Sequence, residues 1–533
     1  MTKQQYQLEN GELVSKLSFF HPLSRRLHVV LLIMMGLFSL SLIRMNIGIS
    51  MTCMVNSTAI ALKNAKIPLE TSAVFNFTES SEDLNPTKIT ENIETRTCSR
   101  TGTDNKVVND YGGTLDWDAN IQGYIFAAGF WGSLFTIIPS GLIADVWSPV
   151  KMLQIAGLAL ILTNGLTPFF ALNFGPWSLF GLRLFMGLFE GIVLPSVNKL
   201  ASQWIPNEEK STALSMYTSG NQLGGILGIP FFALLCSTEI GWPLIFYWSS
   251  AFAVIWLILW RCFVNENPAK CKNMSEREKA YLESFPELKS SKKNRRFGVP
   301  PFKAMFTSPA FLALILCSIG TNMVASIIQI YLPTFIKEVL FLSPVNNGFY
   351  SAAPPFVQFF SKIGWSIMID HCKAKGLSPT VAVKISQAIT NIGSAVILII
   401  IGYTTDCNAP YFVLFLLCLL GMCFSTATSG FFTSMVSLAP SYTGIITSIS
   451  FVFGITGRSL PSLIVPYFNK RGTLEEWRNV FFVTSALLIF STVIFVLFGS
   501  GHPQEWGIAK EEEKEPEKTI AESKMLSSSM TSI

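Results

Sequence analysis

The stretch SLFGLRLFMGLFEGIVLP, residues 178–195, places an arginine and a glutamate inside one apolar helix. Arg183 and Glu190 are seven positions apart, and a rotation of about 100° per residue points both to nearly the same side of that helix. A charge near the centre of a bilayer costs at least ~2.5–3.5 kcal/mol on insertion scales. We therefore expect the two side chains to face protein or a water-filled cavity. The pair indicates a substrate or ion pathway, or an internal ion pair that only holds helices together.

The composition around this stretch is that of a membrane protein. Of 533 residues, 50% are hydrophobic and 14% are charged, whereas soluble domains carry about 25% charged residues. Stretches of about 20 apolar residues, the length that spans a bilayer, occur twelve times. They lie near 27–54, 120–143, 150–171, 177–203, 212–235, 241–264, 308–332, 345–369, 380–402, 410–433, 441–465 and 478–500. The sequence predicts an all-α membrane protein with twelve transmembrane helices, surrounded by lipid and without a nucleic-acid partner.

The twelve stretches divide into two groups of six. Residues 27–264 and 306–500 each hold six spans, and a basic linker, 265–305, joins them. Parallel six-helix halves around a site near the bilayer midplane are the architecture of major-facilitator transporters. We therefore expect two six-helix bundles of this kind.

A short internal echo supports the duplication. GLIAD follows the second span, with Gly141 four residues before Asp145, and SIMID follows the eighth, with Ser366 four residues before Asp370. The two aspartates are 225 positions apart and fall at matching points of the two halves. A small residue permits close helix approach, and the aspartate is expected to cap or pair with a neighbouring cytoplasmic helix end.

The placement of lysine and arginine predicts the orientation. The N-tail 1–26 and the linker 265–305 are basic, so we expect both in the cytoplasm. The loop 55–118 is net acidic and carries two N-x-S/T sequons, at Asn56 and Asn76. It is therefore expected to be extracellular or lumenal and glycosylated, although Asn56 lies close to the membrane. Both the plasma membrane and a lysosomal or vesicular membrane fit this topology.

Three further features concern the loops and the tail. The tail 501–533, acidic and then serine-rich, returns to the cytoplasm and ends in Thr-Ser-Ile, which could add to a PDZ-like domain as a strand. Cys98 and Cys407 both fall in non-cytoplasmic loops and could pair, a point that sequence leaves open. The ten cysteines show no metal spacing, so no metal site and no cofactor are expected.

Four stretches resemble the motifs of a known family. They are RMNIGISMTCMVN (44–56), WDANIQGYIFAAGFWGSLFTIIPSGLIAD (117–145), LRLFMGLFEGIVLPSVNKLASQWIPNEEKS (182–211) and LAPSYTGIITSIS (438–450). The second runs from Trp-Asp through Gln-Gly and Pro-x-Gly to Ala-Asp, and the third from an arginine through Glu-Gly to Trp-x-Pro. With LEEW (474–477) and the closing GHPQEW, the chain resembles solute carrier family 17, which includes sialin, the vesicular glutamate transporters and the sodium–phosphate cotransporters.

The resemblance implies secondary active transport of phosphate or organic anions, driven by a sodium gradient, a proton gradient or the membrane potential. The functional arginines of that family match Arg44 and Arg183 of this sequence, and the family's acidic coupling position matches Glu190. These residue types fit an anionic substrate, because guanidinium groups bind carboxylate or phosphate through two parallel hydrogen bonds. Glu190 could exchange a proton as access alternates, or it could only neutralise Arg183 in the empty site. Asn46 could bind substrate, orient Arg44 or join two helices.

Other positions are either structural or depart from the family pattern. Gly187 and Gly191 form a small-xxx-small pair, for which close packing against a neighbouring helix is the preferred interpretation. Met186 replaces a second acid of sialin-like members, and Asn198 replaces a histidine. Phe126 stands where the glutamate transporters have another histidine. These changes weaken the prediction that glutamate or sialate is the substrate. They also leave Glu190 as the one acid expected to couple a proton.

One departure adds a charge. Arg458 lies within FVFGITGRSLPSLIVP, in the eleventh span, where relatives usually have an apolar residue. It could supply substrate-binding charge from the second half, or it could form a local pair or reach the membrane surface.

These observations predict a secondary active anion transporter that works by alternating access, with 27–264 rocking against 306–500. The alternative is a non-transporting, receptor-like or regulatory membrane protein on the same fold. An anion channel shares the basic lining, but duplicated halves argue poorly for a continuous pore. Enzymatic activity is not expected, because no nucleophile–base motif or phosphate loop occurs.

Overall fold

The computed structural model describes residues 6–9, 12–15, 19–64, 111–206, 209–265, 268, 271, 274–283, 301–406, 408–439 and 442–507. Within these ranges the chain forms twelve long helical segments, each of which contains one of the predicted apolar stretches or nearly all of it. They are α1 (Arg25–Met54), α2 (Ala119–Val146), α3 (Pro149–Asn173), α4 (Pro176–Trp204), α5 (210–236), α6 (Pro243–Phe263), α7 (Pro309–Val339), α8 (Pro344–Ala374), α9 (Pro379–Thr404), α10 (Pro410–Ser437), α11 (443–468) and α12 (Leu474–Phe498).

Eleven of these segments are long and apolar enough to cross a membrane by length and composition. The remaining one is α8, which is 31 residues long. Its mean hydropathy is lower because Gln358 and Lys362 interrupt its apolar residues and Pro354 and Pro355 lie at its centre. The length of α8 and its position as the second helix of the second half make it the twelfth span.

Proline and capping side chains fix where many helices begin. Seven of the twelve segments start at a proline, whose missing N–H costs nothing in the first turn. These prolines are Pro149, Pro176, Pro243, Pro309, Pro344, Pro379 and Pro410. At the start of α2 the Asp118 carboxylate accepts the N–H of Ile121 at 2.8 Å, which satisfies one of the free donors of the first turn.

Helix packing repeats between the two halves with an offset of six helices. In the first half, α1 packs on α5 and α6, α2 on α4, and α3 on α6. In the second half, α7 packs on α11 and α12, α8 on α10, and α9 on α12. The duplication inferred from the sequence is therefore present in the packing.

Among the described residues, most contacts between the two halves are made by three helix pairs, α1 with α7, α2 with α11, and α5 with α8. The contacts concentrate at the end of the molecule that carries the loop after α1. There the buried Lys337 of α7 donates its Nζ to the carbonyl of Thr52 at 2.5 Å and to Ser57 Oγ at 2.7 Å. Its ammonium group also lies 4.8 Å from the ring centroid of Tyr111. This end of the interface is closed.

A disulfide joins the same end of the first half. Cys53, near the end of α1, bonds to Cys236, the last residue of α5, with the Cα atoms 6.4 Å apart. The pairing considered from the sequence, Cys98 with Cys407, lies outside the described residues, as do Asn76 and the C-terminal Thr-Ser-Ile. The other sequon residue, Asn56, accepts the N–H of Ala59 at 2.8 Å and so caps the short helix Ser57–Asn64.

At the opposite end, a buried ion cluster ties the linker to the first half. Arg26, fully buried at the start of α1, pairs with Glu209 and with Glu278. Glu278 belongs to the short helix Glu276–Glu283 of the linker and also accepts the backbone N–H of Arg26 at 3.1 Å. The guanidinium of Arg26 lies 4.6 Å from the ring centroid of Tyr281. This part of the linker therefore belongs structurally to the first bundle.

A small antiparallel hairpin, β1 (Tyr6–Glu9) and β2 (Glu12–Ser15), precedes the helices. It was not anticipated from the sequence, and it lies outside the twelve spans.

We expect the substitution Arg26→Met to lower the thermal stability of the purified protein strongly. It leaves Glu209 and Glu278 buried without their cation, and removing one partner of a buried pair typically costs about 3–5 kcal/mol. Thermal unfolding in detergent, followed by the loss of the monodisperse fraction, measures this. Arg261→Met, at an exposed position near the end of α6, is the control and should leave the midpoint unchanged. Equal midpoints for the two variants would contradict the role of the cluster.

Candidate functional site

A small cavity lies where α1, α2, α4 and α7 meet, and it collects the charges singled out from the sequence. Arg44, Arg183 and Glu190 line it together with apolar side chains. The apolar lining is Ile47, Ile125, Phe126, Gly129, Phe130, Met186 and Ile330. It offers about 30 Å³ for the centres of water molecules, which is room for about two waters. We call it the charged cavity; in this conformation it is too small for an organic anion.

Glu190 pairs with Arg44 of α1. Arg44 donates its Nε to Glu190 Oε1 at 2.6 Å, and its Nη2 contacts the same oxygen. The sequence had left open that Glu190 neutralises Arg183; the carboxylate interacts electrostatically with Arg183, but its direct contact is with Arg44. Two turns of α4 separate Arg183 from Glu190, whereas the packing of α1 brings Arg44 directly alongside the carboxylate.

Arg183 retains donors that the protein does not fill. Its side chain is buried, with a residue exposure of 5%. Its Nη2 lies 3.5 Å from Asn46 Oδ1 and its Nη1 3.7 Å from Met186 Sδ. Nε has no hydrogen-bond partner within the part of the chain that the structure describes. A guanidinium has five N–H donors, so Arg183 can still donate hydrogen bonds to an anion in the cavity.

Asn46 is part of a buried polar cluster and does not line the charged cavity. It is fully buried, and its Nδ2 donates to Asn164 Oδ1 at 2.8 Å and to Ser249 Oγ at 3.2 Å. Its other end faces Arg183, not Arg44. Of the alternatives that the sequence left open, the structure shows the one in which Asn46 joins helices: it bonds to α3 and α6, and its Oδ1 faces Arg183. Sequence reasoning missed Asn164 and Ser249, although both are polar residues inside apolar spans.

Arg458 approaches the same site from the second half. It is partly buried, and its Nε donates to Asn322 Oδ1 of α7 at 3.0 Å. It interacts electrostatically with both Arg44 and Glu190. Arg458 does not belong to the lining of the charged cavity in this conformation, but its charge adds to the positive potential there.

The close packing predicted for Gly187 and Gly191 is observed. A Cβ added at Gly187 would lie 2.1 Å from the carbonyl oxygen of Gly129, and one at Gly191 would lie 2.8 Å from that of Ser133. The Ser133 hydroxyl donates to the carbonyl of Gly187 at 3.1 Å. The two glycines therefore allow α2 and α4 to touch beside Glu190.

The repeated aspartates do not form the inter-helix contacts expected of them where the structure describes their side chains. Asp370 pairs with Lys373 of its own helix at 3.1 Å, and its side chain is 72% exposed. The backbone places Gly141 and Asp145 in the last turns of α2, and their side chains lie outside the description. No group of residues that could hold a metal ion occurs in the described ranges.

An aromatic contact crosses between the halves at the cavity. Phe126 of α2, where the glutamate transporters have a histidine, packs edge-on against Tyr331 of α7 with ring centroids 5.2 Å apart. Tyr331 follows Ile330, which also lines the cavity, so α7 closes one of its walls.

Comparison with known proteins agrees with this architecture. Residues 33–460 match the Major Facilitator Superfamily. An uncharacterized transporter, slc-17.3 of Caenorhabditis elegans, is 40% identical over 513 residues, and the alignment covers 95% of each chain. Sialin from Ovis aries is 29% identical, with 91% of each chain covered. A putative inorganic phosphate cotransporter from Drosophila melanogaster is 28% identical, covering 76% of this chain and 77% of that one.

A solved structure gives the same fold independently. The crystal structure of a D-xylose-proton symporter superimposes with a TM-score of 0.61 at 12% identity, covering 90% of this chain and 100% of that one. At this identity the likeness concerns the fold alone.

The ion-pair assignment can be tested by double substitution. We expect Arg44→Met and Glu190→Gln each to lower the thermal midpoint, because each leaves a partly buried charge without its partner. The double variant should recover much of the loss, since paired residues do not act additively. The matched double variant Arg183→Met with Glu190→Gln should show no such recovery. Recovery with Arg183 but not with Arg44 would overturn the pairing described here.

Proposed function

This chain belongs to solute carrier family 17 of the major facilitator superfamily and is a multi-pass membrane transporter; we propose that its cargo is an anion, carried by secondary active transport. The observation that supports this is the charge of the site. Arg44, Arg183 and Arg458 bring three positive charges to a region where, among the described residues that line or act on the cavity, Glu190 supplies the one negative charge. The net excess of two positive charges favours a negatively charged ligand in a region of low dielectric.

The arginines divide the work of binding. Arg183 has unfilled donors in the cavity wall and is the primary anion ligand. Arg44 is neutralised by Glu190 and becomes available only when that pair opens. Arg458 contributes charge from the second half and moves with it. The name of the Drosophila relative, a putative inorganic phosphate cotransporter, agrees with an anionic cargo.

Alternating access follows from the duplicated halves. The halves meet at the end that carries the loop after α1, and the charged cavity has room for about two waters. To admit an anion, the site must open by movement of one bundle against the other, as midplane sites in this architecture do. Such movement must break the contact of Lys337 with Thr52 when the opposite face closes. A receptor-like role on this fold is not favoured, because the relatives are transporters.

We further propose that the proton is the coupling ion. When Glu190 is protonated, its attraction for Arg44 falls, and the freed guanidinium can bind the anion. Anion binding and proton binding then reinforce each other, and by linkage each raises the affinity for the other. This gives symport of an anion with a proton.

For orientation, we propose that both termini are cytoplasmic and that the loop after α1 is extracellular or lumenal. The basic N-tail and linker support this arrangement. The plasma membrane and a lysosomal or vesicular membrane both remain consistent with it.

Uptake into proteoliposomes tests the proposed function. Purified protein should accumulate labelled phosphate or a member of a panel of organic anions when a proton, sodium or voltage gradient is imposed. Arg183→Ala should reduce that uptake by at least tenfold because it removes the primary anion ligand, whereas Arg261→Ala, outside the site, should not. If no anion accumulates under any gradient, the transporter of anions is the wrong proposal.

The role of Glu190 can be separated from anion binding. Glu190→Gln removes the carboxylate and leaves Arg44 without its ion pair, so we expect anion exchange without a gradient to persist. Accumulation driven by an inward proton gradient should fall to the level of exchange alone. Measuring both modes on the same vesicles provides the control. Proton-driven accumulation that survives in Glu190→Gln would show that another group couples the proton.

A further inference from the structure

A short segment of the loop after α1 contacts both halves of the molecule. Residues 111–118 are the last of this loop before α2 begins, and we call them the strap. They lie at the closed end of the interface, where Lys337 contacts both Thr52 and the ring of Tyr111. The two ends of the strap belong to different halves.

Backbone pairing fixes the later part of the strap to the end of α1. The N–H groups of Thr114 and Leu115 both donate to the carbonyl of Met54, at 3.0 Å and 2.9 Å. The N–H of Asn56 donates in turn to the carbonyl of Leu115 at 2.9 Å. Trp117 adds its side chain to the buried core. This part of the strap therefore belongs to the first half.

The second half holds Tyr111, at the other end of the strap, by its hydroxyl and by its ring. The hydroxyl donates to the carbonyl of Leu342 at 2.6 Å and accepts from Nδ2 of Asn347 at 3.2 Å. Asn347 is fully buried and also donates to the carbonyl of Pro333 at 2.8 Å. The ammonium group of Lys337 lies 4.8 Å from the centroid of the Tyr111 ring, within the range of a cation–π attraction. The donor, the acceptor and the ring of this tyrosine all contact the second half.

The backbone that receives the tyrosine hydroxyl is strained. Phe341, directly before Leu342, has a φ of 51°, in the left-handed region that residues with a side chain rarely adopt. Among the described residues other than glycine, it is the one with a positive φ. Such conformations persist where surrounding contacts hold them, and they cluster at ligand clamps and switch regions. The hydrogen bond from Tyr111 to the carbonyl of Leu342 is a contact of this kind.

Two glycines join Tyr111 to the fixed part of the strap. Gly112 has a φ of 79°, and a Cβ added at Gly113 would lie 2.2 Å from the carbonyl oxygen of Val55. The first position requires a left-handed backbone and the second a close approach of two chains, and glycine meets both requirements. The strap can therefore turn from the end of α1 toward the second half.

We propose that the strap is a latch of the closed end: the second half binds Tyr111 while this end is closed and releases it when the halves separate there. The loop after α1 then sets the balance between the two open states of the transporter, although it lies outside the twelve spans. This inference rests on the alternating access of the proposed function.

The latch acts through contacts that exist in one state and are lost in the other. When the halves separate at this end, both hydrogen bonds of the Tyr111 hydroxyl and the contact of its ring with Lys337 are broken. Losing one hydrogen bond between neutral groups shifts an equilibrium by about 2- to 10-fold, and the loss of the cation–π contact adds to this shift. The strap therefore favours the state in which this end is closed.

The distance between the halves at this end measures the latch. Spin labels are attached at two exposed positions, Glu239→Cys in the loop after α5 and Glu475→Cys at the start of α12. The protein is the full chain, in which every cysteine other than Cys53 and Cys236 is replaced by serine. Pulsed electron paramagnetic resonance on the purified protein then gives the populations with this end open and closed. Tyr111→Phe removes only the hydroxyl and should raise the ratio of open to closed by at least about threefold.

Matched variants show whether the shift comes from the latch. Tyr411→Phe makes the same change at the start of α10, at the same end of the second half, where the side chain is 80% exposed, and it should leave the ratio unchanged. Tyr111→Ala also removes the ring and should raise the ratio further than Tyr111→Phe. Thermal unfolding is measured on the same samples. A hydroxyl that only stabilised the fold would lower the midpoint of Tyr111→Phe and leave its ratio at the wild-type value, which would overturn the latch.

Anion uptake by the wild type separates this inference from the proposed function. If the wild type accumulates an anion in proteoliposomes while Tyr111→Phe keeps the wild-type ratio, or while Tyr411→Phe raises the ratio equally, the latch is wrong and the transporter stands. If the wild type accumulates no anion under any gradient and every variant shows one unchanged distance, the proposed function fails and this inference fails with it.

Discussion

A guanidinium group keeps its charge even inside a membrane, and three of them in one protein must each find a counter-charge, polar partners or a cavity. The contact between Arg44 and Glu190 solves this for one arginine by joining α1 to α4. The remaining arginines are held by neutral oxygens, Arg183 by Asn46 and Arg458 by Asn322. Neutral partners carry no counter-charge, and Glu190, which interacts electrostatically with both arginines, supplies one negative charge for three positive ones. The centre of the molecule is thereby kept positive, and its affinity for anions follows.

The two halves share helix packing but not chemistry. In the first half, the polar residues between helices support a charged group, since Asn164 and Ser249 hold Asn46 against Arg183. In the second half, the corresponding buried network is neutral and closed on itself, with Thr321 bonded to both Gln387 and Asn391. Duplication therefore supplied two scaffolds, of which the first holds most of the charge and the second contributes Ile330 to the wall of the charged cavity.

Much of the architecture could be predicted from the sequence, because hydropathy and helical period act locally. The twelve spans, the two halves and the glycine contact beside Glu190 follow from such patterns. The contact partners of individual side chains could not be predicted from these patterns. Periodicity shows toward which side of α4 Glu190 points, but not which residue of another helix stands there, so Arg44 was missed as its partner. For the same reason the sequence left three roles open for Asn46, and the pairing of Cys53 with Cys236 depends on two helix ends that are distant in sequence.

That disulfide has a consequence for the cell biology of the protein. Disulfides persist in oxidising compartments and are rare where glutathione keeps thiols reduced. The bond lies at the same end of the molecule as the loop after α1 and the closed contact of Lys337 with Thr52. Redox chemistry thus supports the proposed orientation on grounds independent of where lysine and arginine occur. In the proposed orientation, the first bundle would acquire its final covalent form only after that end has left the reducing cytosol.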